Sequence, residues 1–202
     1  MNEVNYPIFW ENIYLEDDAG WDLNGVTPVF HHLSNSLDVG SVCIVGCGRG
    51  YDAVQFAKKG FQVTAVDFAP TAITAVSKLA REESVILSTV QDDIFELPKL
   101  FKEEFDYIIE QTCFCAIHPS RRQEYEQLVK SILKPKGRLI GLWFPLDKSM
   151  EKGGPPWGTT IEEVKSIFAD GWEIEKEEYP ELSIEPRKGR EKLIIFRKEN
   201  QS

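Results

Sequence analysis

Val42-Cys43-Ile44-Val45-Gly46-Cys47-Gly48-Arg49-Gly50-Tyr51-Asp52 is the stretch that decides the fold. A short apolar run, residues 42–45, meets three alternating glycines, and a helix-forming segment, residues 52–59, follows until Gly60. Glycine reaches positive φ at no steric cost and lets a ligand approach the main chain where a side chain would collide. The first N–H groups of the helix then point at whatever sits on the turn. Strand, glycine turn and helix in this order imply a nucleotide site. The spacing is GxGxG, not the GxGxxG of pyrophosphate binders, and no GxxxxGK followed by Ser or Thr occurs in the chain. A tight strand-to-helix turn would by itself demand the same glycines.

The surrounding pattern gives the turn its context. Residues 62–66 read as a second strand and 70–82 as a helix, with Pro70 in its first turn and Ile73, Val76 and Ala80 on one face. Residues 85–90 and 105–110 read as further strands, 124–133 as a helix ended by Pro135 and Gly137, and 138–144 as a fifth strand. A crossover helix between successive strands makes them parallel. After a helix over 160–169, strands at 172–178 and 192–198 follow with no helix between them, so they pair antiparallel. Ahead of the sheet, Thr27 is placed to cap a helix that begins at Pro28. The expected fold is a doubly wound α/β domain with a mostly parallel, seven-stranded sheet and an antiparallel edge hairpin. A chain of 202 residues is the size of one such domain, residues 1–202.

Asp67 lies 21 residues after Gly46, at the end of the second strand, where an acid can accept both ribose hydroxyls of a nucleoside. A cap on the helix entered at Pro70 would use the same side chain. Asp93 follows the third strand at a place where an adenine amino group can be read, with Ile94 against the ring; capping is the plainer role for it and for Asp92.

Charge narrows the partners. Against 23 Lys plus Arg stand 33 Asp plus Glu, a net charge of −10 and an isoelectric point near 4.9. That field opposes nucleic acid, whose binding needs a basic surface, and favours a small-molecule partner. Residues 1–40 hold seven acids and no Lys or Arg, whereas 187–198 hold six bases. No apolar run approaches the roughly 20 residues of a membrane span, and no secretion signal is visible at residues 1–12. Cys43, Cys47, Cys113 and Cys115 lie in or beside apolar runs; their CxxxC and CxC spacings suggest metal, but the three His are distant and no paired CxxC knuckle occurs, so the expectation is reduced thiols in a cytoplasmic protein.

At this level the sequence resembles a family, the thiopurine, thiol and halide/thiocyanate S-methyltransferases of the class I, Rossmann-like S-adenosylmethionine-dependent group. The residues that carry the likeness are Trp10-Glu11 with Gly20-Trp21-Asp22 and Thr27-Pro28, the segment Phe105 to Glu110 leading into Phe114-Cys115-Ala116-Ile117-His118-Pro119, Gly153-Gly154-Pro155-Pro156-Trp157, and Arg187-Lys188-Gly189-Arg190-Glu191-Lys192. The resemblance implies S-adenosylmethionine as cofactor, held at Trp10, Trp21, Gly46, Gly48, Asp67, Asp93, Ile94 and Gln111, with residues 1–40 covering it. Aromatic faces and acids suit a cationic sulfonium, although an amphipathic segment covering one sheet end would also use these tryptophans.

The expected reaction is methyl transfer to a small soft nucleophile, foremost a thiol, in a pocket walled by Gln111, Phe114, Ile117, Pro156 and Trp157. Arg187, with Lys188 and Arg190, would draw in an anionic acceptor or form a solvated loop. Halide and thiocyanate members carry Tyr where this chain has Gln111, which turns the expectation toward thiols. O- or N-methylation would need a base near Gln111, with Glu110 or His118 available; a non-catalytic cofactor-binding module and a nicotinamide-dependent oxidoreductase are the other readings. No metal is expected, and the chain is taken as a monomer.

Overall fold

The computed structural model describes residues 3–200; residues 1, 2, 201 and 202 of the expected domain lie outside the described residues. The seven strands are β1 (Ser41–Val45), β2 (Gln62–Asp67), β3 (Ser88–Gln91), β4 (Phe105–Gln111), β5 (Leu133–Trp143), β6 (Trp172–Glu178) and β7 (Lys192–Lys198). They form one sheet in the order β3-β2-β1-β4-β5-β7-β6. The first five run parallel, and β7 pairs antiparallel with both β5 and β6. This is the expected class. The order reverses between β1 and β4, so a crevice opens at their carboxyl ends, where open α/β sheets bind ligands.

The helices are α1 (Pro7–Leu15), α2 (Pro28–Leu33), α3 (Tyr51–Lys58), α4 (Pro70–Glu82), α5 (Leu97–Leu100), α6 (Arg122–Ile132) and α7 (Ile161–Ile167). Central strands are buried on both faces and accordingly read as continuous apolar runs. One face packs Phe114, Tyr125, Trp143, Phe168 and Phe196. The other packs Phe30, Phe56, Phe61 and Tyr107. On this second face Gly50 sets α3 against α4: its φ is +86°, and a Cβ there would come within 2.1 Å of Val76 Cγ2 on α4. A third cluster, with Trp10, Tyr14, Ala72 and Trp157, packs the amino-terminal segment onto α4.

Several boundaries differ from those expected. β3 begins at Ser88, not residue 85, because Val85 N–H closes α4 by donating to Ala80 O (3.0 Å) and Ser84 takes a positive φ of 57°. The helix expected over 124–133 starts at Arg122 and passes without a loop into β5 at Leu133. Pro135 and Gly137 therefore lie inside the strand, at the register shift between the Phe105↔Leu133 and Tyr107↔Arg138 pairs. A proline is tolerated there because a bulge asks no ladder N–H of it. Thr27 precedes α2, but its side chain makes no cap bond; the hydroxyl goes to Asp52 instead. Thr160 does cap α7, accepting from Glu163 N–H at 3.1 Å.

Candidate active site

At the carboxyl ends of β1, β2 and β4 lies a cavity of about 750 Å³, the size that encloses a small ligand. Gly46 (φ +59°) forms part of its floor, and a Cβ there would press on Cys113 at 3.2 Å. Asp67 ends β2 beside it. Its Oδ2 accepts the Gly48 N–H and its Oδ1 the Ala69 N–H, both at 3.0 Å. The acid thus ties the glycine turn to Ala69 ahead of α4, whose first turn takes no side-chain cap bond, so the helix cap weighed for Asp67 is not made. Two N–H bonds leave acceptor sites on an ionised carboxylate, and Asp67 lines the cavity. Burial pushes its pKa up to about 6, against the pull of these N–H groups.

Asp93 caps the turn that follows β3, its Oδ1 accepting the Phe95 N–H at 3.1 Å, and with Ile94 it lines the same cavity. Desolvation raises its pKa as well.

The amino-terminal segment forms a side wall. Trp10 donates its indole N–H to Val4 O (2.8 Å) and meets Trp21 edge to face at 5.5 Å. Four tethers fix this segment over the turn. Arg49 pairs with Asp17 and Asp22 (2.5 and 2.7 Å). Thr27 donates its N–H and its hydroxyl to Asp52, both at 2.8 Å. Glu11 accepts the N–H and hydroxyl of Thr71 at the head of α4. Arg187 donates Nη2–H to Trp21 O at 2.9 Å.

Of the residues singled out in the sequence, Trp10, Trp21, Gly46, Asp67, Asp93, Ile94, Ile117, Pro156 and Arg187 line this cavity. Gly48 and Gln111 line a small polar pocket of about 60 Å³ that adjoins it. Gln111 faces Thr27, with 3.0 Å between its amide and the Thr27 hydroxyl, and does not line the large cavity, so it is not the acceptor wall expected of it. Phe114 and Trp157 do not line it either. Phe114 is a core ring between Tyr125 and Trp143, and Trp157 packs in the amino-terminal cluster and meets His118 in a T-shaped contact. Glu110 is buried and spoken for: it accepts N–H groups of Cys113 (3.2 Å) and Phe114 (3.0 Å) and the Tyr125 hydroxyl (2.9 Å). Burial raises it to about 7. His118 caps the turn at Pro119. Lys188 pairs with Glu185 on the surface, whereas Arg190 reaches the cavity and also pairs with Asp147.

Tyr14, Phe68, Arg121 and Phe144 also line the cavity and were not singled out. Tyr14 had a signal, since it follows Trp10 by four residues and so shares its helix face. Phe144 and Arg121 had none, because their place depends on long-range packing. Cys113 and Cys115 reach the lining too. Burial and Glu110 push Cys115 up to about 12 and Cys113 well above the usual thiol range.

A doubly wound sheet with this order, a GxGxG turn after β1 and acids after β2 and β3 define a class I S-adenosylmethionine-dependent methyltransferase. A Burkholderia thailandensis 1,6-didemethyltoxoflavin N1-methyltransferase, solved with its substrate and S-adenosylhomocysteine, shares the fold with a TM-score of 0.75 over 96% of this chain and 87% of that one, at 20% identity. The model of the thiopurine S-methyltransferase family matches residues 6–201, and the chain belongs to that family. It is 34% identical to a probable thiol methyltransferase 2 of Arabidopsis thaliana over 94% of this chain and 84% of the relative. With the thiopurine S-methyltransferase of Vibrio campbellii it shares 26% identity, covering 82% of each.

Proposed function

We propose that this enzyme methylates a small anionic sulfur nucleophile, a thiolate foremost. The observation that carries the reading is Arg187. It is 6% exposed, lies against the Phe144 ring at 5.2 Å, and presents to the cavity wall a guanidinium whose Nη1 has no hydrogen-bond partner among the described residues. Glu191 and Asp52 act on its charge, yet Nη1 stays without a hydrogen bond, which is costly for a buried donor, and an anionic acceptor in the cavity would take it. Glu110 and His118, the groups that would serve O- or N-methylation as a base, do not line the cavity. A thiolate needs neither, since its proton is lost to solvent before it enters.

The residues fit the cofactor of the class. Asp67, cradled by two N–H groups with acceptor sites to spare, would take ribose hydroxyls; Asp93 and Ile94 would take the adenine, and Trp10, Trp21 and Gly46 the remainder. Gly48 and Gln111 would serve polar atoms at the adjoining pocket. When bound, S-adenosylmethionine supplies a methyl group on a positively charged sulfur. Arg187 holds the attacking anion, and Ile117, Phe144 and Pro156 exclude water from it. Desolvation of charge that is neutralised during transfer favours the reaction.

Arg187→Met is expected to lower kcat/KM for a thiolate at least about tenfold more than for an uncharged amine acceptor, a ratio in which any loss of cofactor affinity through the Trp21 tether cancels. Equal loss for an uncharged amine acceptor, or no loss for the thiolate, would refute the reading. We further propose residues 1–40 as a cofactor-covering segment of a single domain that works as a monomer, supported by Trp10 and Trp21 on the cavity wall. Its four free thiols suit a cytoplasmic setting.

A further inference from the structure

Arg121 ends the turn Pro119–Arg121, just before α6, and borders the cavity beside Asp93 and Phe95. Its guanidinium carbon lies 3.4 Å from the centre of the Phe95 ring. Nε and Nη2 donate to the two oxygens of Glu124 at 2.8 and 3.0 Å, a bidentate pair that fixes the fork. Nη1 stands 3.7 Å from Asp93 Oδ2. At that distance the charge acts on Oδ2 without saturating it, so Oδ2 keeps acceptor capacity while Oδ1 is held by the Phe95 N–H. Partial burial presses Asp93 toward the protonated form, Glu124 and Glu96 add to it, and Asp92 precedes it in the chain. Arg121 is the one cation opposing them among the groups that act on Asp93.

We propose that Arg121 is the positioning residue for purine recognition, holding Asp93 as an ionised, acceptor-only carboxylate so that the site selects a 6-amino over a 6-oxo purine. The inference rests on the reading that the adenine of the cofactor lies at Asp93. An ionised carboxylate accepts a hydrogen bond from an amino group; it meets a 6-oxo group acceptor to acceptor, with no proton between them. A protonated Asp93 would donate and would welcome the 6-oxo group. With Arg121 removed, the Phe95 N–H alone favours the ionised form against burial, Glu124 and Glu96, and selection between the two purines weakens.

The test titrates the full chain by calorimetry near pH 6.5 with S-adenosylhomocysteine and with its deaminated analogue, S-inosylhomocysteine. The proteins are wild type, Arg121→Met, Arg121→Lys and Asp93→Asn. Wild type is expected to prefer the adenosyl compound by about a hundredfold. Arg121→Met should bring that ratio to within about fivefold, and Arg121→Lys, which keeps the charge but not the fork, should fall between. Because both ligands meet the same variant, any general loss of folded protein cancels in the ratio. A ratio that stays at the wild-type value in Arg121→Met while Asp93→Asn abolishes it overturns the inference and leaves the adenine at Asp93. A ratio unmoved in Asp93→Asn as well removes the adenine from Asp93, and the inference with it.

Discussion

Asp67 joins two parts of the fold at the edge of the cavity. Its carboxylate bridges Gly48 and Ala69, and the same burial that lets it line the cavity raises its pKa from 3.8 to about 6. A carboxyl that keeps its proton longer in the folded than in the unfolded chain favours the folded state most below pH 4, and that advantage is lost as pH rises to 6. A difference of about two pH units corresponds to roughly 3 kcal/mol. Ligand hydroxyls have the opposite preference, since they donate best to the ionised form. Affinity for S-adenosylhomocysteine is therefore expected to weaken as pH falls below 6, by up to about tenfold per unit from this group, with Asp93 adding in the same direction. Calorimetry between pH 5 and 7.5 reads this directly; a constant Kd across that range would show that Asp67 does not accept from the ligand. The spacing from Gly46 made Asp67 legible in the sequence. Its second bond, to the glycine turn, was not, because it depends on where β2 ends relative to β1.

At the scale of elements, α3 and α4 meet at Gly50. Gly50 at φ +86° lets α3 start almost in contact with Val76, and Gly50→Ala would drive a Cβ to 2.1 Å from Cγ2 and 2.4 Å from Cβ of Val76. The helices have to separate to admit it. Overpacking together with an unfavourable φ should cost roughly 2 to 4 kcal/mol. A urea midpoint within error of wild type would show that α4 yields freely. Elements of this kind were the most legible part of the chain: α4 (Pro70–Glu82), β6 and β7 fall on the boundaries read from pattern alone. The passage from α6 into β5 was not, because Pro135 and Gly137 signal a break and only the pairing with Phe105 turns that break into a bulge. Likewise Phe114 and Trp157 read as pocket walls from their motifs, yet aromatic rings beside a site are equally suited to its supporting core, and packing decides between the two.

For the whole molecule, ligand and fold are linked through the amino-terminal segment, which contributes Trp10 and Trp21 to the cavity and is tied to α3, α4 and Arg187. S-adenosylhomocysteine at a hundredfold excess over Kd should stabilise the native chain by about 2.7 kcal/mol, visible as a raised Tm, whereas NADH should leave Tm in place. An equal shift with both would deny the selectivity of the site. Cys113 and Cys115 add a different consequence. A catalyst that alkylates sulfur carries sulfur of its own on the cavity wall, and its first accessible victim is itself. Burial beside Glu110 pushes both toward the neutral thiol, which disfavours their alkylation. The discrimination between self and substrate then comes down to a competition for protons: an acceptor qualifies by giving up a proton that the enzyme's own sulfurs retain.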